Sequence, residues 1–96
     1  MKLKIRGFEW DGGNIHKCQK HGVSLDTIEG VFFVDDILVM PDIRHSKTED
    51  RLIAVANVNK RYVFVVFVER NGLIRPVSAR FMHKYEVEYY EQEAGN

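Results

Sequence analysis

The sequence centres on the run Tyr62-Val63-Phe64-Val65-Val66-Phe67-Val68, which is followed at once by Glu69-Arg70-Asn71-Gly72. An uninterrupted run of β-branched and aromatic residues predicts a strand that is apolar on both faces, and such a strand belongs at the centre of a sheet. Asn71-Gly72 predicts a tight hairpin, because both residues tolerate the positive φ of a type I′ turn. The central strand therefore continues directly into an antiparallel partner.

Other segments of the chain complete the predicted sheet. A strand-like apolar run precedes the polar loop Asp42–Asp50, and Asn59-Lys60 predicts a second tight turn. Pro76 cannot donate a ladder hydrogen bond, so the last strand is predicted to lie at an edge or to carry a bulge. The predicted strands are Leu3–Phe8, Ile37–Met40, Arg51–Asn57, Arg61–Glu69 and Leu73–Ala79.

The segment Lys20-His21-Gly22-Val23-Ser24 predicts a pivot between two short helices. Gly22 supplies the left-handed backbone conformation that ends many helices, and Ser24 can cap the helix that follows. Lys20 and His21 place positive charge at the negative end of the first helix dipole. Three signals of different origin thus agree within five residues.

Three helices are predicted from caps and from apolar spacing. Asp11 is the expected cap of a helix over Asn14–Lys20. Apolar residues at spacings of three and four indicate the second helix. The last helix is predicted over His83–Ala94, with Glu86 at the position of a capping carboxylate. The apolar stripe of the second helix is Leu25, Ile28, Val31 and Phe32.

The order of these elements is β-α-α-β-β-β-β-α. It predicts an α+β fold in which two N-terminal helices and a C-terminal helix surround a mainly antiparallel sheet. A length of 96 residues with 45% hydrophobic content suits one small domain, residues 1–96.

Composition narrows the function classes. Lys and Arg number 14 and Asp and Glu also number 14, so net charge cannot attract nucleic acid, and any anion site must be a local group of cations. A single Cys18 excludes an internal disulfide, and Met1–Arg6 lacks the apolar run of a signal peptide, so we expect a cytoplasmic protein without a membrane span. No metal-ligand spacing and no nucleotide-binding glycine loop is found, so we expect neither a metal nor a cofactor.

The cationic and imidazole side chains carry the clearest chemistry. Lys60 and Arg61 occupy a predicted turn, and His21 and His45 lie in a turn and a loop. Cleaving RNA without a metal needs a base for the 2′-hydroxyl, an acid for the leaving 5′-oxygen and cations for the phosphate. Histidine suits proton transfer near neutral pH, and arginine can hold two phosphate oxygens. The arginines in or beside the predicted strands are Arg51, Arg70, Arg75 and Arg80.

Most of these residues also have an explanation without catalysis. His21 favours the end of the first helix, His45 is a solvated loop side chain, and Glu49 forms a local ion pair with Arg51. Arg80 differs, because a cation directly before the N-terminus of a helix is electrostatically unfavourable. Its position favours a functional role.

A series of short motifs runs from about Phe8 to Tyr90, and their order and spacing are more specific than any single motif. They are Phe8-Glu9-Trp10-Asp11, Gly13-Asn14-Ile15, Lys20-His21-Gly22-Val23-Ser24, Val31-Phe32, Pro41-Asp42, His45-Ser46, Thr48-Glu49-Asp50-Arg51, Val65-Val66-Phe67 and Val77-Ser78-Ala79-Arg80. In these motifs the chain resembles the BrnT toxin family. Members of that family resemble the RelE group of bacterial ribonuclease toxins in fold, and an antitoxin encoded beside them, BrnA, neutralises them.

The resemblance implies roles for particular residues. Arg51 and Arg80 are expected to hold the scissile phosphate, while His45, His21 or Glu49 moves protons. His83, which stands where many relatives have a Ser, Thr or Asn cap, is a further candidate proton carrier beside Arg80. The expected RNA-binding residues are Lys60, Arg61, Arg70, Arg75 and His83.

The resemblance also implies a function and partners. The expected function is that of a metal-independent endoribonuclease toxin that arrests translation and is neutralised by a BrnA-type antitoxin, with RNA as substrate and operator DNA contacted only through the antitoxin. The alternative is a catalytically inactive, toxin-like module that pairs with an antitoxin and modulates its DNA binding. Because an acidic antitoxin would fit the same local cations as RNA, we expect inhibition by occlusion.

Overall fold

A five-stranded mixed sheet forms the frame of the protein. The computed structural model describes residues 4–45 and 49–94. The strands are β1 (Gly7–Phe8), β2 (Leu38–Pro41), β3 (Leu52–Val58), β4 (Arg61–Arg70) and β5 (Leu73–Phe81); the helices are α1 (Ile15–Gln19), α2 (Leu25–Val31) and α3 (Lys84–Ala94), and a 3-10 turn covers Ile43–His45. The spatial order is β1-β5-β4-β3-β2, antiparallel throughout except that β1 runs parallel to β5. The prediction of an α+β fold with a mainly antiparallel sheet is confirmed.

The predicted central position of β4 is confirmed, since it pairs with β3 on one side and with β5 on the other. Alternate residues of β4 point to opposite faces of the sheet. Val63, Val65 and Phe67 are fully buried on one face, while Phe64 and Val66 are partly buried on the other. We call these the core face and the outer face.

Both predicted tight turns are present. Asn59 and Lys60 join β3 to β4 with φ of 52° and 71°, and Asn71 and Gly72 join β4 to β5 with φ of 56° and 82°. Positive φ at both central residues is what a type I′ turn requires, and it matches the twist of the flanking strands.

Strand β5 carries a bulge near Pro76 and does not lie at an edge. Val66 pairs with Ser78 and Phe67 pairs with Pro76, so Val77 is an extra residue without a counterpart on β4. The prediction that this strand lies at an edge or carries a bulge is therefore confirmed by the bulge. β1 lies outside β5 but pairs only with its first two residues.

The N-terminal segment departs from the prediction in two ways. The described part of the expected strand over Leu3–Phe8 forms only the short β1, since only Gly7 and Phe8 pair with β5; Leu3 lies outside the described residues. Asp11 does not cap α1, because Asn14 occupies the N-cap position. The Asp11 carboxylate instead accepts a hydrogen bond from the Gly13 amide and pairs with Arg75.

The pivot between α1 and α2 is as predicted. Gly22 has a φ of 88°, and the Ser24 hydroxyl accepts a hydrogen bond from the Thr27 amide at 3.2 Å. The left-handed residue ends one helix and the hydroxyl begins the next.

Helices α1 and α2 cover the core face. The ring of Phe32, directly after α2, meets the ring of Phe67 edge to face, with centroids 4.9 Å apart. Burial of apolar surface at this interface is the main favourable term in folding. The buried core consists of Cys18, Val23, Ile28, Val31, Phe32, Ile37, Ala54, Ala56, Val63, Val65, Phe67, Ile74 and Ala79.

Helix α3 covers only part of the outer face, at the end nearer the β3–β4 turn. Tyr90 is buried, its hydroxyl accepts a hydrogen bond from the Asn57 amide, and its ring meets that of Tyr62 edge to face. The Tyr62 hydroxyl donates to Glu91 at 2.7 Å. The rest of the outer face carries charged side chains beside apolar ones such as Ile53 and Val66.

Candidate functional site

A cleft of about 420 Å³ opens on the outer face beside the start of α3. Four of its lining residues are cations and one is an acid, so a local concentration of positive charge exists on a chain with no net charge. We call it the large cleft. Its lining residues are Lys17, Asp42, Arg44, Arg51, Ile53, Phe64, Val66, Val77, Ser78 and Arg80.

Four separate segments deliver these cations. Arg51 directly precedes β3, and its carbonyl oxygen accepts a hydrogen bond from the Asp42 amide at 2.8 Å, which closes the loop between β2 and β3. Arg44 lies in the 3-10 turn of that loop, Lys17 lies on α1, and Arg80 lies on β5. The site therefore depends on the tertiary fold.

Arg80 is held in place by an ion pair and by an aromatic ring. Its guanidinium forms a bidentate pair with Glu86, at 2.8 and 3.0 Å, and its Cζ atom lies 3.9 Å from the ring centroid of Phe64. The Arg80 guanidinium lowers the pKa of the Glu86 carboxyl. Glu86 also accepts a hydrogen bond from the His83 amide at 2.8 Å, as a capping carboxylate does. One carboxylate thus holds both the arginine and the start of α3. Its negative charge offsets the unfavourable interaction between Arg80 and the positive end of the α3 dipole.

A second cleft, of about 200 Å³, adjoins the first. The two share Lys17, Arg51 and Val77, so they are parts of one groove. We call it the small cleft. Its lining residues are Gly13, Asn14, Lys17, Glu49, Arg51, Val68, Arg70, Arg75, Pro76 and Val77.

Two arginines of the small cleft are held by carboxylates. Arg70 binds Glu49 through two hydrogen bonds of 2.6 and 2.8 Å, and Arg75 binds Asp11 through two of 2.9 and 3.2 Å. Hydrogen bonding to these arginines lowers the pKa of the Glu49 carboxyl and of the Asp11 carboxyl. Both acids are therefore ionised at neutral pH and partly offset the charge of the groove.

Asn14 anchors the wall of the small cleft. It is buried, and its side-chain amide donates to the carbonyl oxygens of Glu9 and Pro76, at 3.0 and 2.9 Å, while its Oδ1 atom accepts from the Asp11 amide. All of these groups would be costly to leave unpaired in a buried position. Asn14 thereby fixes the start of α1 against the bulge of β5.

The structure brings some of the predicted site residues together. Arg51 and Arg80 line the large cleft, while Glu49, Arg70 and Arg75 line the small cleft with Arg51. His83 lies at the start of α3, beside the Arg80–Glu86 pair, with its ring stacked on that of Tyr85 at 5.9 Å.

Other predicted residues lie elsewhere. His21 is exposed on the pivot and does not line either cleft. Lys60 and Arg61 lie at the opposite end of β4 from Arg70, roughly 30 Å away along the strand. For His45 only the backbone is described, in the 3-10 turn that carries Arg44; its side chain lies outside the described part of the structure.

Lys17, Arg44, Asp42 and Phe64 are cleft residues that sequence reasoning missed. Lys17 lies next to the buried Cys18, so helical spacing alone does not show which way its side chain points. Phe64 could have been assigned to the outer face, because successive side chains of a strand point to opposite faces and this strand was predicted correctly.

No group of three His, Cys, Asp or Glu side chains suited to a metal occurs within residues 4–45 and 49–94. Among the helices that the structure describes, none has the length and apolar character needed to cross a membrane.

The fold and the groove define a small α+β protein with a cation-lined outer sheet face. A family model described as "Ribonuclease toxin, BrnT, of type II toxin-antitoxin system" matches residues 10–86 of the 96. The chain therefore belongs to the BrnT family of ribonuclease toxins, as the motifs indicated, and membership implies an antitoxin partner. No individual curated protein matches the chain in sequence.

Proposed function

We propose that the chain is an endoribonuclease toxin that cleaves RNA in the large cleft without a metal ion and so arrests translation. The observation that carries this proposal is that Arg51 and Arg80, far apart in sequence, line one cationic cleft together with Lys17 and Arg44. The BrnT family supports ribonuclease activity at the level of the family. We also propose that the domain has the RelE-like arrangement that the family resemblance implies.

Arg51 and Arg80 hold the scissile phosphate in this mechanism. A guanidinium stays charged at all relevant pH values and offers paired N–H donors to phosphate oxygens. As the 2′-hydroxyl loses its proton and its oxygen attacks phosphorus, the bond from phosphorus to the 5′-oxygen breaks and that oxygen takes up a proton. Negative charge grows on the phosphate oxygens during this step, and cations already in place stabilise it. The stacking of Arg80 on Phe64 and its bond to Glu86 supply this preorganisation.

The proton-transfer group is best assigned to a histidine. Glu49 is a weak base and is not a proton donor at neutral pH, because Arg70 keeps its carboxyl ionised. His21 is exposed outside both clefts. We assign the role to His45, whose neighbour Arg44 lines the large cleft. His83, like His21, lines neither cleft, but it is the second candidate because its amide bonds to Glu86, the partner of Arg80.

Substitution of the two arginines tests the phosphate assignment. Arg51→Ala and Arg80→Ala should each lower the rate of RNA cleavage by about 100-fold or more, because each removes a cation from the developing charge. Arg61→Ala is a matched control, since Arg61 also lies over an aromatic ring, that of Phe81 at 5.8 Å, but lines neither cleft. Thermal unfolding of each variant separates loss of chemistry from loss of fold. Undiminished cleavage by both variants would reject the assignment.

The histidine assignment needs its own comparison. His45→Ala should lower the rate of cleavage by about 100-fold or more and remove one limb from the pH–rate profile of the residual activity, whereas His21→Ala should leave both unchanged. If His83→Ala abolishes cleavage and His45→Ala does not, His83 takes the role.

The antitoxin partner is proposed to be of BrnA type and to act by occlusion. Acidic side chains of such a partner would meet the same cations that hold RNA, and operator DNA would be contacted only through the antitoxin. A structure of the complex in which Arg51 and Arg80 stay fully open to solvent would refute occlusion.

A second function is favoured by the three carboxylate pairs. Arg70, Arg75 and Arg80 are each bound bidentately by an acid, which reduces the charge available to a polyanion. A toxin-like module that binds an antitoxin, modulates its DNA binding and has no catalytic activity would have such a surface. Antitoxin-free protein incubated with RNA, with and without ribosomes, separates the two: tight antitoxin binding with intact RNA favours the module.

A further inference from the structure

The two clefts form one groove, and two cations lie at their junction. Lys17 and Arg51 line both clefts. Arg51 immediately precedes β3, whereas Lys17 reaches the groove from α1. The large cleft is the one we assign to the scissile phosphate.

Lys17 differs from the arginines around the small cleft in its pairing. Arg70 and Arg75 are held by Glu49 and Asp11. In the described part of the chain no carboxylate pairs with Lys17. Within these residues no direct ion pair therefore offsets its charge, although Asp42 and Glu49 line the same groove.

The backbone beneath Lys17 is held in place on both sides. Cys18 is completely buried in the core, and Asn14 bonds the start of α1 to the Pro76 carbonyl. A lysine ammonium is a compact charge with three donors on a flexible stem, so it can bind oxygens of two anions at once. A fixed backbone and a mobile tip suit a bridging role.

We propose that the small cleft binds a second phosphate of the same RNA strand, adjacent to the phosphate in the large cleft, and that Lys17 bridges the two. The ligand is single-stranded RNA with at least two consecutive phosphodiesters. This inference rests on the proposed function, because it takes the large cleft as the site of the scissile phosphate.

The experiment compares binding of two oligonucleotides that cannot be cleaved. A 2′-O-methyl dinucleotide carries one phosphodiester and a 2′-O-methyl trinucleotide carries two, and neither has a free internal 2′-hydroxyl. For the antitoxin-free wild type, the slope of log affinity against log salt concentration should steepen by about 0.7 from the first to the second, as one added phosphate contact implies. For Lys17→Ala this gain should vanish, while Lys17→Arg should retain it.

Lys20→Ala is the matched control, because Lys20 is also exposed and lies at the end of the same helix, outside both clefts. It should keep the full gain. Thermal unfolding of Lys17→Ala should match that of the wild type, since its side chain is exposed.

The outcomes separate the subsite from the ribonuclease. An equal gain for Lys17→Ala and Lys20→Ala, or no gain in a wild type that cleaves RNA, overturns the subsite and leaves the ribonuclease in place. A Lys17-dependent gain in a wild type that cleaves no RNA supports the subsite and rejects the ribonuclease. If Lys17→Ala weakens only the binding of the antitoxin, the small cleft is a protein contact and the proposal is overturned.

Discussion

The core face and the outer face of the sheet are made by the same strands but are finished in different ways. On the core face, α1 and α2 cover Val63, Val65 and Phe67 completely. On the outer face, α3 covers one end, and the other end is a groove of cations and carboxylates. The difference indicates that the packed core face supplies the stability of the fold, whereas the outer face can carry charged side chains. Substitutions on the two faces should therefore have effects of different kinds.

The largest effect on stability should come from Phe67→Ala. Phe67 is fully buried against Phe32, and its removal should lower the free energy of unfolding by about 3–5 kcal/mol, from lost transfer energy and a new cavity. Chemical denaturation measures this. Phe64→Ala, three residues away on the outer face, should cost only about 1–2 kcal/mol, yet it should slow RNA cleavage because Arg80 loses its aromatic support. Equal losses of stability for the two variants would contradict the division between the faces.

A smaller, pH-dependent effect is expected for Glu86→Gln. Because Arg80 lowers the pKa of the Glu86 carboxyl in the folded protein, the pair stabilises the fold above the ordinary glutamate pKa, and this stabilisation is lost as the pH falls through the lowered value. Glu86→Gln should thus lower the free energy of unfolding by about 1–3 kcal/mol near neutral pH. The difference from the wild type should shrink below about pH 4.5. Denaturation curves across pH 2–7, a range set by ordinary carboxyl titration, check this.

Because Arg80, the partner of Glu86, lines the large cleft, the rate of RNA cleavage is a second measurement for Glu86→Gln. If Glu86→Gln retains the wild-type rate of cleavage while losing stability, the pair serves the fold only. A difference in stability that grows toward acid pH would show that the sign of the linkage is wrong.

The smallest effect is expected for Lys60→Ala. Lys60 lies at the turn between β3 and β4, at the end of the sheet opposite Arg70. Removing its charge should change RNA affinity by less than ~2-fold, because Lys60 lines neither cleft and its exposed charge is screened by salt. Filter binding or fluorescence anisotropy measures this. A large loss of affinity would extend the RNA path along the whole outer face.

Much of the fold could be predicted from local signals. The apolar run of β4, the Asn71-Gly72 turn and the pivot with Gly22 and Ser24 each depend on a few adjacent residues, and each is present as expected. The position of Asn14 as the N-cap residue of α1 could not be predicted, because its side chain bonds to the carbonyl of Pro76, which is distant in sequence.

Only those residues of the candidate site that belong to recognisable sequence motifs could be predicted. Arg51 and Arg80 were identified from the family resemblance and do line one cleft. The bidentate partners of Arg70 and Arg75 could not be foreseen, because Glu49 and Asp11 are distant in sequence from them. Lys17 was missed for the same reason, since only the packing of α1 against β5 shows which way it points.

The bulge at Val77 changes which residues of β5 share a face of the sheet. Arg75 and Arg80 are separated by an odd number of positions, so in a strictly alternating strand they would project to opposite sides of the sheet. In the observed register Arg75 lies opposite Val68 and Arg80 opposite Phe64, two residues that share the outer face. The inserted residue acts as a half-period phase shift, and it places both guanidinium groups on one surface while Ile74 and Ala79 stay in the interior.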